Sequence, residues 1–255
     1  MRGIRIMLVS LLIAAFAAAL FAQDMKDPGR RNVEFNASDG TTLSGYLALP
    51  SGSGRKPAVL MIHEWWGLNH DTVLLADALA EKGFVVLAAD AFRGSVAREA
   101  VDARAQIGST PREQIAGDLD AALDYLKRHP RADSSRIASL GFCFGGTHSM
   151  LMGTRRSDLA AVVIFYGGGP ITEAGQLGVL GSGGPVLGIY GEEDGGIPVD
   201  QVRAFEAAMN SRGIENTVNV YPGVGHAFVK SDSYNKGGAP ERAWKQMVDF
   251  LKTEL

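Results

Sequence analysis

Apolar and polar positions along the chain fall into two alternating kinds of segment. The stretches Ala58–Ile62, Val85–Ala89, Ile137–Leu140, Ala161–Phe165 and Val186–Tyr190 are apolar almost without a break. Runs of that kind suit strands buried on both faces. Thr217–Val220 closes the series with a β-branched alternation. Between these runs lie stretches of helical spacing at about 71–82, 112–128, 145–153, 199–211 and 240–254. In the second of them Ile115, Leu119, Ala122, Leu123 and Leu126 share one face. Ahead of all this, Val33–Asn36 and Thr42–Leu49 flank Asp39-Gly40, the signal for a tight hairpin. The alternation predicts an α/β fold: a mostly parallel central sheet with helices on both faces, preceded by an antiparallel strand pair.

The N-terminus stands apart from that pattern. Arg2 and Arg5 precede an apolar run from Ile6 to Phe21 that ends in small residues before Gln23-Asp24. This reads as a secretory signal peptide over residues 1–22, cut after Ala22. The run is shorter than the ~20 residues of a spanning helix, so no stable membrane anchor is expected after cleavage. Residues 23–255 then form one domain, located in a bacterial periplasm or outside the cell. The 255 residues include a single Cys, so no intramolecular disulfide and no Cys-rich metal site can form. A net charge of −3 with no block of like charges gives no footprint for nucleic acid or an anionic membrane. Oligomeric state is not legible in the sequence.

The one Cys lies in Gly141-Phe-Cys-Phe-Gly145, after the strand Ile137–Leu140 and before a helix. That context is the one a nucleophile elbow needs, with glycines two residues either side of a sharply turned nucleophile. At a helix N-terminus the dipole favours a Cys143 thiolate. An elbow predicts its partners in chain order, an acid after a later strand and a base after the last. Gly191–Pro198 carries Glu192, Glu193 and Asp194, and Tyr221–Phe228 carries His226. Asp194 is preferred because its short side chain precedes Gly-Gly. Among rival bases, His129 ends a helix, while His70 and His148 read as structural. His63 ends the strand Ala58–Ile62, near the mouth of the sheet, but precedes the nucleophile. The Gly-rich stretch Gly168–Gly184 is long enough for a pocket rim or an ordinary surface excursion.

These pieces, together with Ile62-His-Glu-Trp-Trp-Gly-Leu-Asn69 and Ala89-Asp-Ala-Phe-Arg93, resemble the dienelactone hydrolases of the α/β-hydrolase superfamily. Gly141-Phe-Cys-Phe-Gly-Gly146 is the most specific, since most α/β-hydrolases carry Ser at the elbow. The resemblance implies an α/β-hydrolase fold and cleavage of a lactone or ester through an acyl-cysteine. By it Cys143 attacks, His226 acts as base and acid, and Asp194 orients His226. Glu64 matches a glutamate that contacts the resting thiol, and a carboxylate there raises the cost of the thiolate. The backbone N–H groups of Phe144 and Trp65 form the expected oxyanion hole. Trp66 helps to wall the pocket. Arg93 and Lys230 stand near the positions of two arginines that grip a substrate carboxylate, although a lysine supplies charge without the planar two-point grip.

No metal or organic cofactor is implied, and the partner is a small ester or lactone. Two other classes share these residues: a catalytically silent ligand-binding protein on the same fold, and a single-cysteine thiol redox protein. An intact Cys143, Asp194 and His226 speaks against the first, and the lack of a second Cys against the second.

Overall fold

In the computed structural model, which describes residues 27–255, eight strands form one sheet in the order β1-β2-β4-β3-β5-β6-β7-β8. The strands are β1 (Val33–Asn36), β2 (Thr42–Ala48), β3 (Lys56–Ile62), β4 (Val85–Ala89), β5 (Ala132–Phe142), β6 (Ala161–Phe165), β7 (Val186–Gly191) and β8 (Asn216–Tyr221). The first two form the expected hairpin, and its turn places Gly40 at φ 84°, a conformation that favours glycine. β2 joins β4 antiparallel, and every later pairing is parallel. Every residue of β4, β6 and β7 is buried. Because successive strand residues point to opposite faces, that pattern requires cover on both faces.

Helices supply the cover; the described residues form six, α1 (His70–Ala80), α2 (Ala100–Ser109), α3 (Arg112–Arg128), α4 (Phe144–Gly153), α5 (Val199–Ser211) and α6 (Gly238–Glu254), and all but α2 pack against the sheet. α1 is capped by Asn69, whose side chain accepts from the Thr72 N–H. α3 buries Ile115, Leu119, Ala122, Leu123 and Leu126, the stripe read from its spacing.

Two features differ from the sequence reading. β5 begins at Ala132, five residues before its apolar run. Its first part pairs with Lys56 while Ser134, Ser135 and Arg136 stay exposed, and a bulge then resets the register. Helix α2 was not expected. Only Ala103 and Gln106 of it are buried, so it has no apolar period to betray it. The segment read as a signal peptide lies outside the described residues. Among the described residues, no helix is long and apolar enough to cross a membrane.

Candidate active site

The carboxyl ends of β3, β5, β7 and β8 carry the residues singled out above. At the end of β5, Cys143 sits at φ 56°, ψ −114° and begins α4. No side chain other than glycine fits around this turn. A Cβ on Gly141 would lie 1.9 Å from the Gly145 carbonyl oxygen, and one on Gly145 would lie 2.1 Å from that of Ile62. The Cys143 N–H donates to the Phe165 carbonyl of β6 at 3.0 Å, which fixes the elbow to the neighbouring strand.

The loop after β7 turns Asp194 inward and leaves Glu192 and Glu193 exposed. Asp194 is buried, with its Oδ2 2.6 Å from His226 Nδ1 and its Oδ1 accepting from the Gly196 N–H. The loop after β8 presents His226, whose side chain is 38% exposed. Two backbone bonds lash the loops together, from the Glu192 N–H to the Tyr221 carbonyl and from the Glu193 N–H to that of Val224. Tyr166 adds a support that the sequence reading missed. Its φ is 38°, its hydroxyl donates to the Val229 carbonyl at 3.1 Å, and its ring lies 5.2 Å from that of His226. A fully buried tyrosine at a strand end carries no sequence signature beyond ordinary core packing.

Burial pushes the Cys143 thiol up to about 12, and the Glu64 carboxylate adds to the shift. The Phe144 N–H, the Lys230 ammonium and the Trp65 N–H pull the other way. Together these groups do not offset the burial. The thiolate expected from the helix dipole is thus outweighed, and the resting group is a thiol. Glu64 is itself buried. Its Oε2 pairs with Lys230 Nζ, and its Oε1 has no hydrogen-bond partner. Burial pulls the Lys230 ammonium down, but Glu64 and Asp71 outweigh it and leave the group above its ordinary value.

Cys143, Asp194 and His226 line one cavity of about 970 Å³, walled by Trp65, Ile115, Phe144, Met150, Leu151 and Ile197. Gly168 and Gly169 form part of its rim, so the start of the Gly-rich stretch does border the pocket. Three expected contributors are elsewhere. Arg93 donates from Nε and Nη2 to the two Asp118 oxygens at 2.7 and 2.8 Å, and it does not line the cavity. Lys230 is engaged by Glu64, and Trp66 packs edge-on against Trp65 without lining the cavity. His148, read as structural, does line the cavity. Burial, with Arg155 nearby, pushes it down to about 4, so its ring is neutral. Its position on α4 follows from the elbow, but no motif marks it. Among the described residues, no three His, Cys, Asp or Glu side chains cluster in a way that could hold a metal.

A family model described as "Dienelactone hydrolase family" matches residues 43–255. The chain belongs to the dienelactone hydrolase family. This dienelactone hydrolase family member is 32% identical to "Protein usf" of Aquifex pyrophilus, over 88% of this chain and 98% of that one. It is 30% identical to a "Putative carboxymethylenebutenolidase" of Aquifex aeolicus over the same shares. Among solved structures, a dienelactone hydrolase-like promiscuous phosphotriesterase from metagenomic libraries superposes with a TM-score of 0.76. That likeness is at 26% identity and covers 89% of this chain and 99% of the other. Membership makes the protein a hydrolase of the carboxylic ester and lactone class on an α/β-hydrolase fold.

Proposed function

We propose that the protein is an exported hydrolase that cleaves a carboxylic ester or lactone through an acyl-cysteine at Cys143. The observation that carries this reading is the short His226–Asp194 contact, facing the same cavity as a cysteine held at positive φ on a glycine-flanked elbow. In the proposed cycle His226 Nε2 takes the thiol proton as sulfur attacks the carbonyl carbon. Asp194 keeps the imidazole oriented and stabilises the imidazolium. The N–H groups of Phe144 and Trp65 bind the developing oxyanion. As the tetrahedral species collapses, the C–O bond breaks and the leaving alkoxide takes the proton from His226. Water, deprotonated by the same histidine, then attacks the thioester and releases the carboxylic acid and the thiol. Burial, with the Glu64 carboxylate adding to it, holds the sulfur protonated at rest, which suits a thiol in an oxidising compartment. Export is supported by Arg2, Arg5 and the apolar run that follows them.

The test is p-nitrophenyl acetate hydrolysis by residues 23–255, compared with Cys143→Ala across pH 5 to 9. Wild type turns over, and the variant falls by about a hundredfold or more, as loss of a covalent nucleophile requires. Equal rates for the two proteins overturn the acyl-cysteine reading.

A further inference from the structure

His63 was the serious rival for the base, and the structure gives it different surroundings. It is fully buried at the end of β3, with no exposed atom from which to serve a substrate. Both ring nitrogens are engaged by backbone. The Ala91 N–H donates to Nε2 at 3.1 Å, and Nδ1 lies 2.6 Å from the Glu64 carbonyl oxygen. A backbone N–H can only donate, so Nε2 carries no proton. The proton is therefore on Nδ1, which donates to Glu64. Burial pulls the ring below its ordinary value, which agrees with this neutral tautomer.

The Glu64 carbonyl belongs to the same peptide unit as the Trp65 N–H. In a planar trans peptide the two groups point in opposite directions, so holding the oxygen on one side aims the hydrogen on the other. Trp65 lines the same cavity as Cys143, and its N–H is one of the two backbone groups that lower the thiol. The next peptide is held as well. Gln106 Nε2 donates to the Trp65 carbonyl at 3.0 Å, and the Ser95 hydroxyl donates to Gln106 Oε1, which fixes which end of the amide faces Trp65. A third constraint comes from Gly67, whose N–H donates to the Glu64 carbonyl at 3.2 Å. Gly67 has φ 95°, and a Cβ there would lie 2.3 Å from the Ser95 carbonyl oxygen. Three elements thus converge on one residue: the end of β3, the loop after β4, and α2.

We propose that His63 and Gln106 are positioning residues that brace the two peptides flanking Trp65 and so keep its N–H aimed at the oxyanion. This rests on the reading of Trp65 as an oxyanion donor to a carbonyl attacked by Cys143. It explains why a histidine is buried here, where an apolar side chain would fill the space at lower desolvation cost. It also gives helix α2 a task. That helix buries only Ala103 and Gln106, and Gln106 is its hydrogen-bonded link to the site. Without His63 and Gln106 the Glu64 carbonyl keeps only the 3.2 Å bond from the Gly67 N–H, and a rotated carbonyl would face the oxyanion with the wrong charge.

The test compares full-length His63→Leu, His63→Asn and Gln106→Leu with wild type. For each, kcat and KM are measured on p-nitrophenyl acetate, together with the rate of iodoacetamide alkylation of Cys143. Alkylation needs the sulfur but no oxyanion hole. His63→Leu is expected to lower kcat by about tenfold to a hundredfold, below the full loss of an oxyanion donor, with KM nearly unchanged and alkylation slowed far less than kcat, since the Trp65 N–H makes only one of several contributions to the thiol. His63→Asn, whose amide N–H occupies the place of Nδ1–H, restores most of kcat. Gln106→Leu lowers kcat in the same selective way. The proposal is overturned if His63→Leu keeps wild-type kcat, if His63→Asn is as poor as His63→Leu, or if alkylation falls in step with kcat. If His63→Leu does not fold, Gln106→Leu decides: unchanged kcat in that variant overturns the brace. Failure of the underlying reading looks different, since Cys143→Ala would then retain wild-type turnover.

Discussion

Lys230 Nζ and Glu64 Oε2 form an ion pair across 166 residues of chain, and both charges act on the Cys143 thiol. Their effects oppose each other, since the carboxylate raises the thiol and the ammonium lowers it. With the thiol near 12, its ionised fraction grows with pH throughout the accessible range. Alkylation of the resting enzyme is therefore expected to rise by about tenfold per pH unit between pH 7 and pH 10. Glu64→Gln removes the negative charge, lowers the thiol and speeds alkylation at neutral pH. Lys230→Met leaves the carboxylate unopposed and slows it. A wild-type alkylation rate that plateaus below pH 9 would show that the thiol is not held protonated.

Asp194 offers His226 one oxygen and keeps the other on the Gly196 N–H. Asp194→Asn preserves size but presents an amide that no longer stabilises an imidazolium. Turnover on an activated ester is expected to fall by about a hundredfold or more with KM little moved. A loss of less than threefold would remove Asp194 from the chemistry.

Arg93 is committed to Asp118, whose side chain is only 4% exposed. Arg93→Ala strands that carboxylate, at a cost of about 1–3 kcal/mol in urea unfolding. The KM values for anionic and neutral esters should move together, by less than about twofold, since the guanidinium does not face the cavity. A selective rise in KM for the anionic ester would return Arg93 to substrate binding.

Gly145 stands where a Cβ would meet backbone oxygens of β3, at 2.1 Å from Ile62 and 2.6 Å from His63. Backbone cannot rotate away as a side chain can. Gly145→Ala is expected to destabilise by about 3 kcal/mol or more and to abolish activity together with the elbow geometry. Thermal unfolding of the variant within a degree or two of wild type would contradict the contact.

What the sequence reveals follows from which physical signals are local. Strands β4, β6 and β7 are buried on both faces, so unbroken apolar runs marked them to within a residue. The elbow was legible because glycine is required on both sides by backbone contact. Helix α2 was not, since it lies at the surface and is held by a polar side chain. The exposed first half of β5 was missed for a similar reason: it is specified by pairing with Lys56 and not by its own composition. The partners of Arg93 and Lys230 are equally hidden in the sequence. Asp118 lies 25 residues from Arg93 on α3, and Glu64 lies on a loop 166 residues from Lys230. His63 and His148 show the same limit from the other side, because only their neighbours separate a braced histidine from one that faces the cavity.

The order of strands across the sheet has a consequence for biosynthesis. Cys143 follows β5 near the middle of the sheet, while His226 arrives only after β8, the last strand to join its edge. A nascent chain ending before Asn216 holds the elbow and Asp194 but has no partner for that acid. Such a chain has the cysteine but lacks the histidine that deprotonates it in the proposed cycle. In the proposed cycle, hydrolytic competence is thus a property of the finished molecule, complete only once the final strand has brought His226 to Asp194.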